Sequence, residues 1–373
     1  MAISHDTTRA QLRPITNFVP GADGNTRIIN KMRTWYWRLT IRATATLAAG
    51  PSTIINQGRL AALFQFIGIN ENGTKYQMDA RALAGLSDQL CNGMPAQQHL
   101  TSGANGAVNL VDQIFIPCAW MKSSRPWETA WREKDPSAET DIFVTPWGGT
   151  GTTGVTDGVG FLVAAGAGTL VISNLTINVV QVFDQLTNVP PLFRPRFDVV
   201  QQVITGAGTD LEQLLPVNGL LRAIIAQQDT NVGEVRDIAT GFQFRTDQEF
   251  LEGYNNDLIM ADENLAQMME FGGNLTVSQI AQAMLGAGAI PGVWPNGAEL
   301  LRNYQSTGRL TQCLNLLAGS PGFAGPNFRA LITGQPSAAA GATTSLVRFS
   351  LYKLERIPGV TAATLPAKFG WGV

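Results

Sequence analysis

The segment Trp35–Leu47, WYWRLTIRATATL, alternates strictly between two kinds of side chain. One set is apolar: Trp35, Trp37, Leu39, Ile41, Ala43, Ala45 and Leu47. The other set is polar or amphipathic: Tyr36, Arg38, Thr40, Arg42, Thr44 and Thr46. Because successive side chains of a strand point to opposite faces, this period of two predicts a long strand with one buried face. The chain therefore needs at least one sheet that is covered on one side.

Apolar runs separated by turn residues predict further strands. In the first half they are Arg59–Ile69, Val108–Ile116, Asp141–Thr145 and Thr169–Phe183. In the second half they are Phe197–Ile204, Gly219–Gln228, Glu234–Arg245, Arg309–Leu317 and Ser345–Ile357. Leucines at helical spacing predict a short helix over 80–90, and longer helical segments are predicted over 247–270 and 276–285.

A proline cluster near the middle of the 373 residues, Asn188–Pro195, can continue neither a helix nor a strand ladder. It divides the chain into two β-rich halves. The predicted fold class is all-β dominated, with two tandem eight-stranded jelly rolls, inserted helices and long loops. The predicted divisions are an N-terminal arm (1–30), a first jelly roll (31–188), a proline-rich linker (189–196), a second jelly roll with a helical insertion (197–357) and a C-terminal tail (358–373).

The residues that most catalytic and metal sites require are scarce. The three cysteines, Cys91, Cys118 and Cys313, are far apart, and there are only two histidines, His5 and His99. A glycine motif at Gly149–Gly154 leads into strand-like sequence, whereas a dinucleotide site needs a helix there. We therefore expect no catalytic residue, no cofactor, no metal ion and no small-molecule substrate.

Charged residues form only 14% of the chain, against about 25% in an ordinary soluble domain, so much of the surface is expected to be uncharged or covered by partners. The net charge of −2 is the sum over regions that include one of positive and one of negative net charge. Residues 1–42 carry seven cations and two acids, while residues 210–270 carry three cations and twelve acids. The basic segment favours contact with an anionic partner, and its candidate residues are Arg9, Arg13, Arg27, Lys31 and Arg33.

Four tryptophans, Trp120, Trp127, Trp131 and Trp147, are interleaved with Arg125, Arg132 and Lys134. Exposed rings beside cations would stack on sugars or bases. The favoured interpretation is a long loop packed against neighbouring protein, because Trp and Arg are enriched at interface cores.

Four features resemble one known family: the strand and proline in Ile114–Trp120, the strand Asn174–Leu186, the proline linker, and the closing strand Ser345–Pro358. Together they resemble the double jelly-roll major capsid proteins of tailless icosahedral viruses, a group that includes tectivirus coat proteins and adenovirus hexons. The resemblance covers roughly residues 30–357.

The resemblance implies a non-enzymatic bacteriophage or viral capsid protein, made in the host cytoplasm and located in the virion. It implies homotrimers of pseudo-hexagonal outline that contact neighbouring capsomers and penton or minor capsid proteins. The basic arm would face membrane lipid or genome, and the four tryptophans would make loop contacts between subunits.

Two other classes remain alternatives. A β-sandwich module that binds glycans or a receptor would use Trp127, Trp131 and Trp147 for stacking. A glycoside hydrolase would need two carboxylates at the right separation, and the acids of residues 210–270 are the candidates.

Overall fold

The structure is a computed structural model of the chain. It describes residues 7–19, 21–29, 32–48, 52–54, 60–80, 82–84, 87, 101–103, 106–118, 130–132, 137–146, 169–184, 193–216, 220–230, 233–234, 238–245, 250–255, 299–303, 329–338 and 340–357. Most of these residues lie in strands, which confirms the predicted all-β class.

The strands of the first half are β1 (Thr7–Gln11), β2 (Gly24–Arg27), β3 (Arg33–Ala48), β4 (Ser52–Ile54), β5 (Phe64–Glu71), β6 (Thr74–Asp79), β7 (Thr101–Gly103), β8 (Gly106–Pro117), β9 (Thr140–Pro146) and β10 (Thr169–Asp184). A 3₁₀ helix, Leu60–Leu63, precedes β5. The described residues within 80–87 are helical, in agreement with the predicted short helix.

Eight of these strands form a sandwich of two antiparallel sheets, ordered β1-β10-β3-β8 and β2-β9-β5-β6. The predicted alternation of β3 is confirmed, because Trp37, Leu39 and Ile41 are fully buried between the sheets. Apolar side chains from the facing sheet, such as Ile67 and Ile69 of β5, complete this core. The remaining strands, β4 and β7, pair only with each other in a small separate sheet.

The strands of the second half are β11 (Phe193–Val203), β12 (Gly208–Leu214), β13 (Leu220–Thr230), β14 (Gly233–Glu234), β15 (Ala239–Arg245), β16 (Phe250–Asn255), β17 (Glu299–Asn303), β18 (Arg329–Gly334) and β19 (Ser345–Arg356). One sheet joins β11, β19, β13 and β17, with β14 also paired to β13. The other sheet has the order β12-β18-β15-β16.

The two halves share one topology. Number the eight sandwich strands of each half from one to eight in chain order. In both halves the strand order across one sheet is then 1-8-3-6, and across the other sheet it is 2-7-4-5. This interleaving of early and late strands is the Greek-key arrangement of a jelly roll. The prediction of two tandem eight-stranded jelly rolls is confirmed.

Antiparallel neighbours alternate in direction, so connections alternate between the two ends of each sandwich. The segments that follow β1, β3, β6 and β9 lie at one end, which we call the loop end. At the opposite end, which we call the base, β1 begins and β10 ends, since Thr7 pairs with Asp184. In the second half β11 begins where β19 ends, with Phe193 opposite Arg356. The chain therefore enters and leaves both jelly rolls at the base.

Several boundaries differ from the prediction. The arm predicted over residues 1–30 is wrong for β1 and β2, which pair with β10 and β9 and belong to the first jelly roll. Deleting residues 1–27 would therefore remove one edge strand from each sheet of the first jelly roll. The predicted linker, 189–196, is also too long, because β11 already begins at Phe193.

The helix predicted over 247–270 is wrong at Phe250–Asn255, which forms β16 and pairs with β15. The rest of that segment beyond Asn255, the predicted helix over 276–285 and the predicted strand Arg309–Leu317 lie outside the described residues. The strand predicted over Glu234–Arg245 is divided in two, as β14 and β15.

Gly68 of β5 offers a test of the close approach between β5 and β6. A Cβ atom at this position would lie 2.2 Å from the carbonyl oxygen of Tyr76, a contact that only backbone movement can relieve. We expect Gly68→Ala to lower the free energy of unfolding by about 1–3 kcal/mol, as overpacking typically does. Urea denaturation followed by tryptophan fluorescence measures this value.

The matched control is Gly206→Ala, because a Cβ atom at Gly206 meets nothing within 4 Å. We expect the control to unfold at the urea concentration of the unsubstituted protein or slightly above it. Equal midpoints for Gly68→Ala and Gly206→Ala would contradict the β5–β6 packing described above.

Candidate functional site

The two jelly rolls meet along a contact that we call the joint, in which β6 of the first packs against β11 and β19 of the second. The apolar part of the joint is continuous with the core of the first jelly roll. Phe197 of β11 stacks on Tyr352 of β19 at a ring-centroid distance of 5.1 Å. Both belong to the same buried cluster as Trp37 and Met78 of the first jelly roll. The halves therefore share apolar burial in addition to the linker.

Arg194 of β11 crosses the joint and is almost completely buried, with 1% of its surface exposed. Its guanidinium pairs with the carboxylate of Glu71, at the end of β5. It also lies over the ring of Trp131, 3.7 Å from the centroid, and 4.9 Å from the ring centroid of Tyr76. A planar guanidinium suits this site because its edge donates hydrogen bonds to a carboxylate while its face stacks on an aromatic ring.

Trp131, one of the predicted loop contacts, is buried at the joint. Its ring makes edge-to-face contacts with Trp37 at 5.9 Å and Tyr76 at 5.5 Å. Its backbone exchanges two hydrogen bonds with Thr34, with N···O distances of 2.9 and 2.8 Å. Trp131 therefore contacts protein, as the favoured interpretation of the tryptophan loop expected, but the protein it contacts is its own chain.

A second arginine, Arg348 of β19, lies in the joint between two carboxylates. It pairs with Asp79, the last residue of β6, and its Nη1 is 3.3 Å from Oδ2 of Asp229. The backbone N–H of Asp79 donates a hydrogen bond of 3.4 Å to Oγ of Ser350. All four residues are buried. The β6 strand is thus held to the second jelly roll at both of its ends, through Arg194 near Glu71 and Arg348 near Asp79.

Buried ion pairs such as these contribute less to stability than to geometry. Removing a guanidinium and a carboxylate from water offsets most of their attraction, whereas leaving one partner alone is strongly unfavourable. A rotation or slide of one jelly roll against the other would separate both arginines from their carboxylates. The joint therefore selects one relative position of the two halves.

Two other ionic groups, each with a buried cation, lie within the jelly rolls. In the first, Arg33 pairs with Asp184 at 2.6 Å, and Nε1 of Trp35 donates a 2.7 Å hydrogen bond to the same carboxylate. In the second, Lys353 pairs with Asp198 and donates to the carbonyl of Pro216. Burial lowers the pKa of the Lys353 ammonium, while its hydrogen bond to Asp198 acts in the opposite direction.

The five cations predicted to form a basic arm do not share one surface. Arg33 is buried in the ion pair with Asp184. Arg27 is exposed and pairs with Glu139 at 2.6 Å, a contact that raises the pKa of its guanidinium. Arg9 and Arg13 are exposed on and just after β1, and Lys31 lies outside the described residues. Arg27 and Arg33 are thus paired with acids of the first jelly roll, and Arg9 and Arg13 lie at the edge of a sheet. Contact of this basic segment with an anionic partner stays a prediction.

The sheet β1-β10-β3-β8 has one covered face and one face that the described part of the chain leaves open. Residues directly opposite each other on antiparallel strands share a face, so the pairing defines its members. We call the open side the uncovered face. It consists of Arg9 and Gln11 of β1, Tyr36, Arg38, Thr40, Arg42 and Thr44 of β3, Asn109, Val111, Gln113 and Phe115 of β8, and Thr176, Asn178 and Val180 of β10. All of these residues are exposed or half-buried.

The other predicted loop contacts, Trp120, Trp127 and Trp147, lie outside the described residues. Within the described residues no cluster of three His, Cys, Asp or Glu side chains could hold a metal ion. No helix among the described residues is long and apolar enough to cross a membrane. Two of the acids suggested for a hydrolase are engaged with arginine, Glu212 with Arg329 and Asp229 with Arg348.

No protein-family model and no curated protein sequence matches this chain. Solved structures do match over nearly the whole length. The crystal structure of the STIV MCP, a major capsid protein, superposes with a TM-score of 0.57 at 12% identity, covering 95% of this chain and 97% of the other. The atomic structure of Sulfolobus Turreted Icosahedral Virus gives a TM-score of 0.52 at 11% identity, covering 97% of this chain and 94% of the other.

These similarities extend over both jelly rolls. They confirm that the chain has the double jelly-roll fold that the sequence resemblance implied. At identities of 11–12% the similarity is one of fold.

The joint can be tested by removing one of its charges. We expect Arg194→Met to lower the free energy of unfolding by about 3–5 kcal/mol, because the carboxylate of Glu71 stays buried without its partner. The double variant Arg194→Met/Glu71→Leu removes both charges and should regain most of that loss. Urea denaturation monitored by tryptophan fluorescence measures both values.

The matched control is Arg27→Met, which breaks an exposed ion pair with Glu139. Exposed pairs contribute little, so the control should unfold almost as the unsubstituted protein does. If Arg194→Met were as mild as Arg27→Met, the joint would not depend on the buried arginine.

Proposed function

We propose that this chain is a viral major capsid protein, a structural protein that assembles into an icosahedral shell around the genome. The observation that carries the proposal is the pair of topologically identical jelly rolls, fixed side by side by Arg194 and Arg348. The chain superposes on the STIV MCP over 97% of that protein's length. A rigid two-part block with similar flanks is suited to tiling a closed surface.

The fold also supports a way of assembling. The joint is heterologous, since it brings the β6 edge of one jelly roll onto the β11–β19 sheet of the other. A heterologous contact that recurs between chains generates a closed ring when its rotation closes. Three copies, with six jelly rolls in total, would give the homotrimer of pseudo-hexagonal outline that the family resemblance implies. Neighbouring trimers and penton or minor capsid proteins would then be its partners.

In this proposal the two ends of the sandwiches face opposite sides of the shell. Both jelly rolls begin and end at the base, so the residues before Thr7 and after Ile357 leave the fold there. In this proposal the base faces the interior, where these segments contact membrane lipid or genome. The loop end faces outward. The predicted loop contacts outside the described residues are Trp120 and Trp127, between β8 and β9 in the sequence, and Trp147, which follows β9 in the sequence. Their contacts would be with neighbouring subunits.

In this proposal the protein is made in the host cytoplasm, functions in the virion and is not an enzyme. The buried position of Trp131 counts against the glycan-binding alternative, because its ring already contacts Arg194, Trp37 and Tyr76 and is not available for stacking on a sugar. The arginine partners of Glu212 and Asp229 likewise count against these acids as a hydrolase pair.

The proposal predicts a defined oligomer in solution. We expect the purified full chain to have the mass of three copies by light scattering, and negative-stain images to show particles of hexagonal outline or shell fragments. Measurements at low and high salt separate the trimer from looser, charge-driven association. A compact monomer under both conditions would contradict the proposal, and binding to a glycan array would then support the rival function.

A further inference from the structure

Several buried hydrogen-bond donors at the joint have no acceptor among the described residues. They are Nε and Nη1 of Arg194 and the indole Nε1 atoms of Trp131 and Trp37. The guanidinium of Arg194 meets Glu71 through Nη2, so this ion pair does not engage its other two nitrogens. The three donor residues are at most 1% exposed. Because a buried donor without an acceptor is strongly unfavourable, these atoms indicate that a further group binds here.

These donors belong to one cluster of side chains. Arg194 lies over the ring of Trp131 at 3.7 Å, and Trp131 contacts Trp37 at a centroid distance of 5.9 Å. Thr140 of β9 is paired with Glu71 of β5, so their side chains share a face of the sheet. Its Oγ1 is also buried without a partner in the described part of the chain. The cluster therefore contains four N–H donors and one hydroxyl.

The chemistry of this set selects the class of ligand. A water molecule donates as well as accepts, so a water site needs acceptors around it. An anion only accepts, and among these five groups only the hydroxyl of Thr140 can accept at all. The one cation of the set, Arg194, is already paired with Glu71, which disfavours a doubly charged anion such as sulfate. A small monoanion fits best, because removing it from water costs less than removing a dianion.

We propose that the joint binds a small monoanion of the size of chloride between Arg194 and Trp131, with Trp37 and Thr140 as further donors. The anion joins an arginine of the second jelly roll to an indole of the first, beside the ion pair with Glu71. It thereby makes the stability of the joint depend on the anions in solution. This inference goes beyond the proposed function, and it holds for the folded chain in any oligomeric state.

The first test measures urea unfolding of the full chain while sodium chloride replaces sodium fluoride at constant ionic strength. A ligand that binds only the folded state stabilises it increasingly as its concentration rises. Above the dissociation constant, each tenfold rise in chloride should raise the folding equilibrium constant about tenfold. Strongly hydrated anions such as fluoride stabilise proteins non-specifically, so a general salt effect would have the opposite sign.

Substitutions locate the effect. Trp131→Phe removes the indole N–H and keeps an aromatic ring beneath Arg194, so it should abolish the difference between chloride and fluoride. The matched control is Trp35→Phe, because Nε1 of Trp35 already donates to Asp184 at 2.7 Å. The control should unfold at lower urea and retain the full chloride dependence. Thr140→Val should weaken the dependence, and it replaces Trp131→Phe in the comparison if that variant does not fold.

The second test places the ion. Bromide substitutes for chloride and scatters X-rays anomalously, so crystals of the full chain grown in sodium bromide should show an anomalous peak between Arg194 and Trp131. Equal unfolding midpoints in chloride and fluoride, or a water molecule at this position, would overturn the proposal. A bromide peak without any chloride dependence of unfolding would mark an adventitious ion only and would overturn it as well. A chloride dependence that persists in both Trp131→Phe and Thr140→Val would overturn the assigned site.

Discussion

The two buried arginines of the joint are the contact on which the rest of the structure depends. Each comes from the second jelly roll, and each meets a carboxylate at one end of the β5–β6 region of the first: Arg194 at Glu71 and Arg348 at Asp79. A short proline linker alone would allow many relative positions of two similar domains. Because both pairs are lost together when one half turns, the joint makes two jelly rolls into one rigid block. A rigid block can present its flanks at fixed angles, which a closed shell requires.

The sequence predicted the parts of the fold whose side chains alternate clearly. The β3 strand was evident because Trp37, Leu39 and Ile41 fill the core at every second position. The first two strands were missed, since β1 reads TTRAQ and β2 reads GNTR, and Gly24 and Thr26 take the buried positions of β2. Short edge strands with small or polar residues carry little periodic signal, because sheet pairing and not apolar burial holds them.

The functional surfaces were harder to predict, and the reason is distance along the chain. Arg194 and Glu71 are separated by 123 positions, and Arg348 and Asp79 by 269, so no local pattern connects them. Trp131 was predicted as a loop contact, and in the structure its ring lies against the arginine of its own second half. The charges of the uncovered face were visible in the sequence as Arg38 and Arg42 between threonines. They were first assigned to a basic segment because the sheet that displays them was not yet known.

The two jelly rolls have equivalent outer faces, β1–β10 and β11–β19, and equivalent edge strands, β6 and β16. In the joint, the edge strand of the first jelly roll packs on the outer face of the second. Among the described residues, β6 covers the outer face of β11 and β19, whereas the equivalent face of β1 and β10 has no neighbour. Electron cryomicroscopy of the purified assembly tests most directly whether this rigid block builds a closed ring. The predicted result is a ring of six jelly rolls contributed by three copies. Monomers, or an assembly in which the jelly rolls form no such ring, would contradict it.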